Sequence, residues 1–402
     1  MAAREAKVVR KGRAEAPRWA PRAPGITVEE VTDAKGREAF ATLPLTLFQG
    51  DQNFVPPIVA ERRDFIDPKR NPFFEHARGA FFLARQGGRL VGRIAAVNDA
   101  RYNQYHQSDV GSFGMFDCVD DVGVASALFE TAAQWVGRSG PRSLLGPLNL
   151  AFHHDIGVLV EGFDRPPSMM MPYNPRYYAR LFEANGFAKL KDLFSYELMA
   201  SDALPEKIRT FADRARATAG VTIRRLDLKD PQGEMARIRS IYESMLSPGF
   251  GFAPISQAEF ERAVGILRPV IMLRPELCLM VEVHGEAAAF SITVPDTNVP
   301  QKAAGGYLSR FGLPIGLAKM LWAARNIEKV RVLLFGIRPG FRRRGLDALL
   351  AVETFEEARR LGYRAGEVGW TMEDDPLINR TIQATGARRI KVYRLYERPV
   401  GA

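Results

Sequence analysis

The order of predicted strands and helices repeats once along this chain, and that repeat constrains the fold more than any other feature. Each half reads as a β-hairpin, a strand, a helix, a strand, a helix and a last strand. The first hairpin turns at Gly87-Gly88 and the second at His284-Gly285. A period of roughly 180 residues is far too long for a solenoid repeat and indicates duplication of a whole domain. Mixed strands and helices place both halves in the α/β or α+β class.

The repeat predicts two domains in the 402 residues. We expect an N-terminal domain over 26–200, a linker with a helical portion over 201–220, and a C-terminal domain over 221–402. Residues 1–25 carry seven basic and two acidic residues, so half of the net charge of +10 lies there. A tail rich in Ala, Arg and Pro cannot bury much surface, so we expect it to be disordered and solvated. Contact of this basic arm with anionic lipid or nucleic acid is the alternative.

The composition excludes several classes of protein. No apolar run reaches the length of about 18 residues that a membrane-spanning helix needs. The tail has no apolar segment typical of a secretion signal, so we expect a cytoplasmic protein whose only membrane contact is peripheral, at the inner face. Cys118 and Cys278 are far apart and suit neither a disulfide framework nor a zinc site. Nucleic-acid binding is not expected, since the basic tail has few aromatic residues. A monomer or a homodimer is expected.

The segment 337–347 joins a predicted strand to a predicted helix and is rich in arginine and glycine. Pro339 ends the strand, and Gly345 allows the backbone to approach a ligand closely. The basic side chains of this turn are Arg342, Arg343 and Arg344. Together with the N–H groups at the start of the helix, they would bind a diphosphate. A solvated basic turn is the alternative, and the strand–turn–helix placement argues against it.

This segment resembles the acyl-CoA-binding motif of the GNAT superfamily of acyltransferases, Val/Ile-x-Pro-x-Tyr/Phe-Arg/Gln-x-x-Gly-x-Gly/Ala. One residue departs from the motif, Asp347, which stands where Gly or Ala is usual. The resemblance implies an acyl-CoA cosubstrate and no metal. The residues that it implies for CoA binding are Phe335, Gly336, Ile337, Arg342, Arg343, Arg344, Gly345, Leu346, Asp347 and Asn379. Asn379 opens a helix that resembles the second cofactor motif of the family but lacks its usual Tyr.

The resemblance also implies that an amine attacks the thioester directly, which requires an oxyanion donor and a general base. Backbone N–H groups near Phe335 to Ile337 would face the thioester carbonyl. Glu373 is the first candidate for the base, with Asp374 and Glu367 as alternatives. A Tyr that protonates the departing thiolate would be Tyr396 or Tyr393.

A second candidate for proton transfer is the cluster His153-His154-Asp155. A His beside a carboxylate is a competent base near neutral pH, whereas the spacing does not suit a metal. A purely structural loop is the alternative. His76, His106 and His284 have no neighbouring candidate in the sequence and are interpreted as structural.

The first half resembles the same fold with its parts redistributed. The segment 174–187 is close to the second cofactor motif, Tyr included, and Tyr173, Asn174 and Tyr177 are expected to contact substrate. The turn 120–123 reads Asp-Asp-Val-Gly, and its carboxylates would repel a diphosphate. We therefore expect a degenerate first half and one active site per chain.

Several strings, at 71–76, 159–163, 170–175, 295–296 and 393–397, resemble one bacterial group of tandem-GNAT proteins, some of which resemble bacterial ceramide synthase. The implied fold is two mixed, mostly antiparallel sheets flanked by helices. The implied activity is N-acyl transfer from CoA to a primary amine, expected to be lipidic, such as a sphingoid base in ceramide and sphingolipid biosynthesis. An acetyltransferase for a small soluble or protein amine and a non-catalytic acyl-CoA sensor are the alternatives.

Aromatic and methionine side chains near loops predict an acyl-chain tunnel where the two halves face each other. These residues are Phe73, Phe74, Phe250, Phe252, Phe311, Tyr173 and Met169 to Met171. Ordinary core packing is the alternative for each of them.

Overall fold

The computed structural model describes residues 17–245 and 250–400, so most of the predicted basic tail lies outside the described residues. The strands are β1 (Ile26–Glu30), β2 (Ala77–Gln86), β3 (Arg89–Asp99), β4 (Val110–Cys118), β5 (Ser143–Gly146), β6 (Val158–Glu161), β7 (Ala188–Met199), β8 (Val221–Arg225), β9 (Cys278–Val283), β10 (Glu286–Pro295), β11 (Lys329–Ile337), β12 (Ala365–Met372) and β13 (Arg388–Pro399). The helices are α1 (Ala34–Leu47), α2 (Val59–Phe65), α3 (Ala100–His106), α4 (Val122–Gly137), α5 (Tyr178–Ala184), α6 (Glu206–Ala217), α7 (Pro231–Met245), α8 (Gln257–Ile271), α9 (Asn298–Ala304), α10 (Ile315–Ala323), α11 (Leu346–Arg360) and α12 (Pro376–Ala384).

All of these strands belong to one continuous sheet. Its order is β1-β2-β3-β4-β5-β13-β7-β12-β11-β10-β9-β8, and β6 adds a second pairing to β13. Two pairs are parallel, β4 with β5 and β11 with β12, and the other pairs are antiparallel. Helices cover the sheet, so the predicted mixed α/β class is confirmed.

The last strand of each half lies in the part of the sheet that the other half builds. β13 pairs with β5 and β6 of the first half, and β7 pairs with β12 of the second half. β7 and β13 also pair with each other at the centre of the sheet. The two halves therefore share an uninterrupted hydrogen-bonded ladder. Hydrophobic patterning identifies both strands but does not specify this exchange, because either partner would bury the same faces.

Helices of the second half pack on both faces of its strands. On one face, α6 and α11 form a core with β9 and β10 that includes Ala212, Leu349 and Val281. On the other face, α7 contributes Ile241 to a core with Met280. The helical portion expected in the 201–220 linker is thus α6, which packs on α11. The helices α7 to α10 lie in stretches where the sequence patterns predicted no element.

Candidate active site

The parallel strands β11 and β12 separate part of the way along their length. They pair only from Lys329 to Val332 on β11 and from Ala365 to Val368 on β12. Beyond those residues β11 continues along β10 and β12 continues along β7, so a gap opens between β11 and β12. A change of register against β10 leaves Leu333 as an extra residue on β11. A bulge of this kind bends the strand and changes the direction of its side chains. Beyond Val332, the edge of β11 that faces the gap has no strand partner.

The predicted diphosphate-binding turn lies at the end of β11 and leads into α11. Gly345 is the N-cap of α11 and has φ +77°, and no side chain caps the helix. The first N–H groups of an α-helix have no partner within it. A Cβ at Gly345 would lie 3.1 Å from the carbonyl oxygen of Phe211, a tight contact that α6 would have to yield to by a few tenths of an ångström. Arg343 also has a positive φ, of 61°. Two left-handed residues two positions apart curve the turn towards the helix start.

The three arginines of the turn differ in placement. Arg342 and Arg343 line the large cavity described below, together with Asp347 in the first turn of α11. Arg344 instead packs over the ring of Phe341, with 5.1 Å from the guanidinium carbon to the ring centroid. Across residues 17–245 and 250–400, none of the three forms an ion pair with a carboxylate. The charge of the turn is therefore free to bind an anion.

The corresponding helix start in the first half is already occupied by a carboxylate. Asp121 Oδ1 accepts hydrogen bonds from the N–H groups of Gly123 (2.7 Å) and Val124 (3.1 Å) at the start of α4. The gap between β4 and β5 is also filled, because the N–H of Leu148 donates to the carbonyl of Phe113 over 2.7 Å. A Cβ at Gly114 would overlap the carbonyl of Leu148. The residue types at this site do not fit a diphosphate.

A cavity of about 1650 Å³ extends from the gap between β11 and β12 to the first half. Its lining is mostly apolar and includes side chains from β5, β11, α8 and α11. Of the residues predicted for an acyl tunnel, Phe250, Phe252 and Met170 line it. Phe73 is fully buried in the first-half core, and Phe311 is exposed elsewhere. Pockets for small molecules usually measure about 300–1,000 Å³, so this cavity has room for a larger ligand.

A chain of ionisable side chains lies in the cavity wall. His76 Nδ1 is 3.0 Å from Asp99 Oδ1, and its Nε2 is 3.2 Å from Glu259 Oε1. His153 Nε2 is 3.8 Å from that same oxygen of Glu259. Arg101 contacts the other oxygen of Glu259 at 2.8 Å. His76, Asp99, His153 and Glu259 all line the cavity, so the cluster faces any ligand held there.

The two histidines of this cluster have opposite pKa shifts. Burial opposes the charge of His76, but its hydrogen bonds to Asp99 and Glu259 prevail and raise its pKa to about 9. Burial likewise opposes the charge of Glu259, but hydrogen bonds from His76 and Ser256 lower its pKa to about 2. Burial lowers the pKa of His153, against the attraction of Glu259. At neutral pH the imidazole of His76 is therefore protonated. The imidazole of His153 is neutral and can accept a proton.

The other two residues of the predicted 153–155 cluster face different surroundings. The ring of His154 packs against Phe65, with 4.8 Å between centroids, and burial holds its pKa well below the usual value. Asp155 pairs with Arg62 at 3.2 Å. Of the three, His153 combines cavity access with a carboxylate partner.

The carboxylates that the sequence suggests as general bases lie outside the cavity lining. Glu373 pairs with Lys189 at 2.7 Å and accepts the N–H of Asp192, and it is not among the residues lining the cavity. Asp374 pairs with Lys191. Glu367 is almost fully buried and accepts hydrogen bonds from the hydroxyls of Ser168 and Ser195. Burial alone would raise the pKa of Glu367, but the charges of Arg331 and Lys391 lower it.

The predicted tyrosines lie away from the cavity. Tyr396 stacks on Phe182 in the first-half core and donates to Glu183 over 3.2 Å, and burial raises its pKa to about 12. Tyr393 is fully buried, and its hydroxyl has no partner within the described residues. Neither is in the cavity lining.

Of the remaining residues predicted to bind CoA, three contact other parts of the protein and two line the cavity. Asn379 accepts hydrogen bonds from Tyr196 (3.0 Å) and Thr371 (2.6 Å) and donates to Met372 (2.7 Å). Leu346 is buried in the core beneath α6, and a Cβ at Gly336 would lie 2.6 Å from the sulfur of Met245. Phe335 and Ile337 line the cavity.

The expected substrate contacts of the first half are likewise internal. Tyr173 donates a hydrogen bond to Asp51, and Tyr177 donates one to the carbonyl of Cys118. The side-chain amide of Asn174 accepts a hydrogen bond from the N–H of Leu159 and donates one to its carbonyl. None of the three is in the cavity lining.

The sequence patterns point to neither Glu259 nor Asp99, and on sequence grounds His76 is an isolated structural residue. Glu259 did carry a local signal, because Ser256 and Glu259 form a capping box at the start of α8. That motif predicts a helix start and says nothing about a contact with histidines far away in the chain. Within the described residues, no group of three or more His, Cys, Asp or Glu side chains is arranged to hold a metal ion.

Comparisons with known proteins give relatives over most of the chain. It is 34% identical over 366 residues to a bacterial ceramide synthase of Caulobacter vibrioides, covering 89% of this chain and 94% of the relative. It is 30% identical over 370 residues to Protein YghO of Escherichia coli, covering 90% and 93%. A solved tandem GNAT protein from the clavulanic acid biosynthesis pathway superposes with a TM-score of 0.55 at 13% identity, covering 94% of this chain and 99% of that one. No family model matches the chain.

Proposed function

This chain belongs to the tandem-GNAT acyltransferase family that includes bacterial ceramide synthase, and we propose that it joins a long-chain acyl group from acyl-CoA to a lipidic amine. The enzyme class, an N-acyltransferase, follows from membership. The acyl donor, the acceptor and the residue roles are the proposal. The observation that carries it is the apolar cavity of about 1650 Å³, which begins at the gap between β11 and β12 and includes the basic turn in its wall.

The turn before α11 would hold the diphosphate of acyl-CoA. It offers the uncapped N–H groups of a 15-residue helix and the unpaired charges of Arg342 and Arg343. Gly345 keeps the turn free of a Cβ. In the first half Asp121 fills the same position, so we propose that only the second half binds acyl-CoA.

The gap between β11 and β12 would admit the pantetheine arm and place the thioester beside the bulged edge of β11. Unpaired backbone N–H groups there would polarise the thioester carbonyl as its oxygen gains negative charge. The acyl chain would extend along the apolar wall built by α8 and α11. A short acetyl group would leave most of that wall without contacts, which favours a long chain as the donor.

His153 would act as the general base. The amine attacks as its neutral NH2 form, and the neutral imidazole in the cavity wall takes one proton from the nitrogen as the C–N bond forms. Glu259, at 3.8 Å, would stabilise the resulting imidazolium. As the new C–N bond forms, the C–S bond breaks, and the proton removed from the amine ends on the CoA thiol. Glu373, paired with Lys189, has no part in this scheme.

The test is an activity assay with the purified full chain. Incubation with palmitoyl-CoA and sphinganine should release CoA and an amide whose mass equals that of sphinganine plus a palmitoyl group less one hydrogen. Turnover confined to acetyl-CoA and small polar amines would contradict the lipid assignment and favour an acetyltransferase. Tight acyl-CoA binding without transfer to any amine would instead indicate a sensor.

A further inference from the structure

The connection between β10 and β11 exposes an unusual amount of apolar surface. We call its segment 307–326 the apolar connection. Its most exposed apolar side chains are Phe311 (97% exposed), Leu313 (59%), Leu321 (65%) and Trp322 (66%). Isolated exposed apolar side chains are ordinary, but a group of this size marks an interaction site. No described residue covers these side chains.

The tip of the apolar connection holds Phe311 away from the protein. The N–H of Arg310 donates to the carbonyl of Leu313 over 2.9 Å, and the N–H of Leu313 donates back to Arg310 over 3.0 Å. The two residues between them, Phe311 and Gly312, have φ of +53° and +77°. A left-handed conformation is unfavourable for a bulky aromatic residue. This tight turn therefore keeps an aromatic ring in water, against both its backbone preference and its hydrophobicity.

The helix that follows the turn is also exposed. α10 spans nine residues, of which only Gly316 and Ala323 are buried. α10 packs on α9, and the N–H of Leu317 donates to the carbonyl of Leu308 over 2.9 Å, so the contacts of the helix lie along one side. No described helix is long and apolar enough to cross a membrane, and nine residues are well short of the about 20 that spanning requires. α10 can therefore enter only the boundary region of a bilayer.

Within the apolar connection every charged side chain is basic. From residue 297 to 327 the sequence has no Asp or Glu, and its basic residues are Lys302, Arg310, Lys319 and Arg325. Arg310, Lys319 and Arg325 are exposed, and none of them pairs with a carboxylate in the part of the chain that the structure describes. Basic residues beside exposed aromatic and aliphatic side chains fit a surface of anionic lipid headgroups over apolar tails.

We propose that the apolar connection docks on an anionic phospholipid bilayer. Phe311, Leu321 and Trp322 enter the boundary between headgroups and acyl chains, where the amphipathic indole of Trp is favoured. Arg310, Lys319 and Arg325 contact lipid phosphates. This contact is separate from the predicted basic tail and does not rest on the proposed acyl transfer. The chain between β10 and β11 leaves and re-enters the sheet beside the start of β11. The arginine turn follows the opposite end of β11, roughly 25 Å away along the strand.

The test is cosedimentation of the full chain with vesicles. Vesicles of phosphatidylcholine and phosphatidylglycerol in equal parts should bind the protein, and binding should weaken in high salt. The double variant Phe311→Ser/Trp322→Ser should bind at least about tenfold more weakly. The matched control is Ile266→Ser, which changes an exposed apolar residue on α8 and should bind like the parent. Arg310→Gln/Lys319→Gln should weaken binding to the mixed vesicles but not to pure phosphatidylcholine.

Three outcomes would overturn the proposal. One is that the parent chain fails to sediment with the mixed vesicles. Another is that the double variant sediments like the parent, which would assign binding to a different part of the chain. The third is a dimer in lipid-free buffer that the double variant abolishes, which would make a second copy of the chain the occupant. Thermal unfolding of the variants, expected to match the parent because these side chains are exposed, separates each outcome from misfolding.

Discussion

His153 Nε2 lies 3.8 Å from Glu259 Oε1, at the point where a loop of the first half meets the first turn of α8. The same carboxylate oxygen contacts His76 at 3.2 Å. The loop that carries His153 is the one that fills the gap between β4 and β5. The first half thus supplies a candidate base to the cavity that begins at the gap between β11 and β12.

Replacing His153 with Gln should abolish the proposed base while keeping a polar side chain of similar shape. We expect kcat to fall by between about a hundredfold and about ten-thousandfold, as for other general bases. Binding of acyl-CoA, measured by equilibrium dialysis, should not change. His284→Gln, in the turn between β9 and β10, is the control and should keep full activity. Equal kcat for His153→Gln and the parent would exclude His153 as the base.

The pH dependence of the parent enzyme gives a second check on His153. Burial lowers its pKa below the ordinary 6.5, so the base is in its neutral, active form at and above that pH. We expect kcat to rise with pH only below about 6.5 and to be level from there to about 8. A low-pH limb with a midpoint above 7 would show that a different group titrates. The limb should disappear in any residual activity of His153→Gln.

The raised pKa of His76 predicts how stability depends on pH. Its pKa is about 9 in the folded protein and 6.5 ordinarily, so the folded state binds the proton more tightly than the unfolded state. The resulting stability is fully present below pH 6.5 and is lost as pH rises through 9. His76→Gln should therefore unfold with a free energy about 2 kcal/mol lower than the parent at pH 6, and the difference should shrink towards pH 9. Urea titrations at both pH values measure this, and a difference independent of pH would contradict it.

Several of these features could be predicted from the sequence because the residues that form them are consecutive in the chain. The strand, the proline, the arginines and the glycine of 337–347 follow one another in the chain, so their pattern located the turn before α11. The repeat of hairpin, strand and helix likewise predicted the class of fold. These are properties of neighbouring residues, which a single sequence displays directly.

Other features depend on which distant segments meet. The cluster of His76, His153 and Glu259 draws on three separate segments, and no local pattern links them. The pairing of Glu373 with Lys189 also joins distant residues, so the sequence could not show that this carboxylate is engaged. Phe311 was assigned to a tunnel because its residue type suits one, whereas a left-handed turn directs it to solvent.

Gly345 should be far less tolerant of a side chain than Gly340 in the same turn. Gly345 has φ +77° and a Cβ there would lie 3.1 Å from Phe211 O, whereas a Cβ at Gly340 would meet no atom within 4 Å. We expect Gly345→Ala to lower the free energy of unfolding by about 1–3 kcal/mol and to weaken acyl-CoA binding. Gly340→Ala should change stability by less than about 0.5 kcal/mol. Similar denaturation curves for the two variants would contradict the close approach of α6.

A bulky side chain in the cavity wall should shorten the acyl groups that the enzyme accepts. Ala263 on α8 lines the cavity, so Ala263→Trp would occupy space proposed for the distal acyl chain. We expect kcat/KM for palmitoyl-CoA to fall about tenfold or more, with a smaller loss for a short-chain acyl-CoA. Ile266→Trp is the control, because Ile266 points to solvent on the same helix. Equal losses for long and short donors would contradict the assignment of this wall.

The affinity for CoA with and without its diphosphate tests the central claim most directly. Equilibrium dialysis of the full chain should compare a long-chain acyl-CoA with the same acyl group on pantetheine, for the parent, for Arg342→Ala/Arg343→Ala and for Arg344→Ala. We predict that the double variant raises the Kd for acyl-CoA by about a hundredfold and leaves acyl-pantetheine unaffected. Arg344 packs over Phe341 outside the cavity, so its variant should match the parent. An unchanged Kd for acyl-CoA in the double variant would contradict the account.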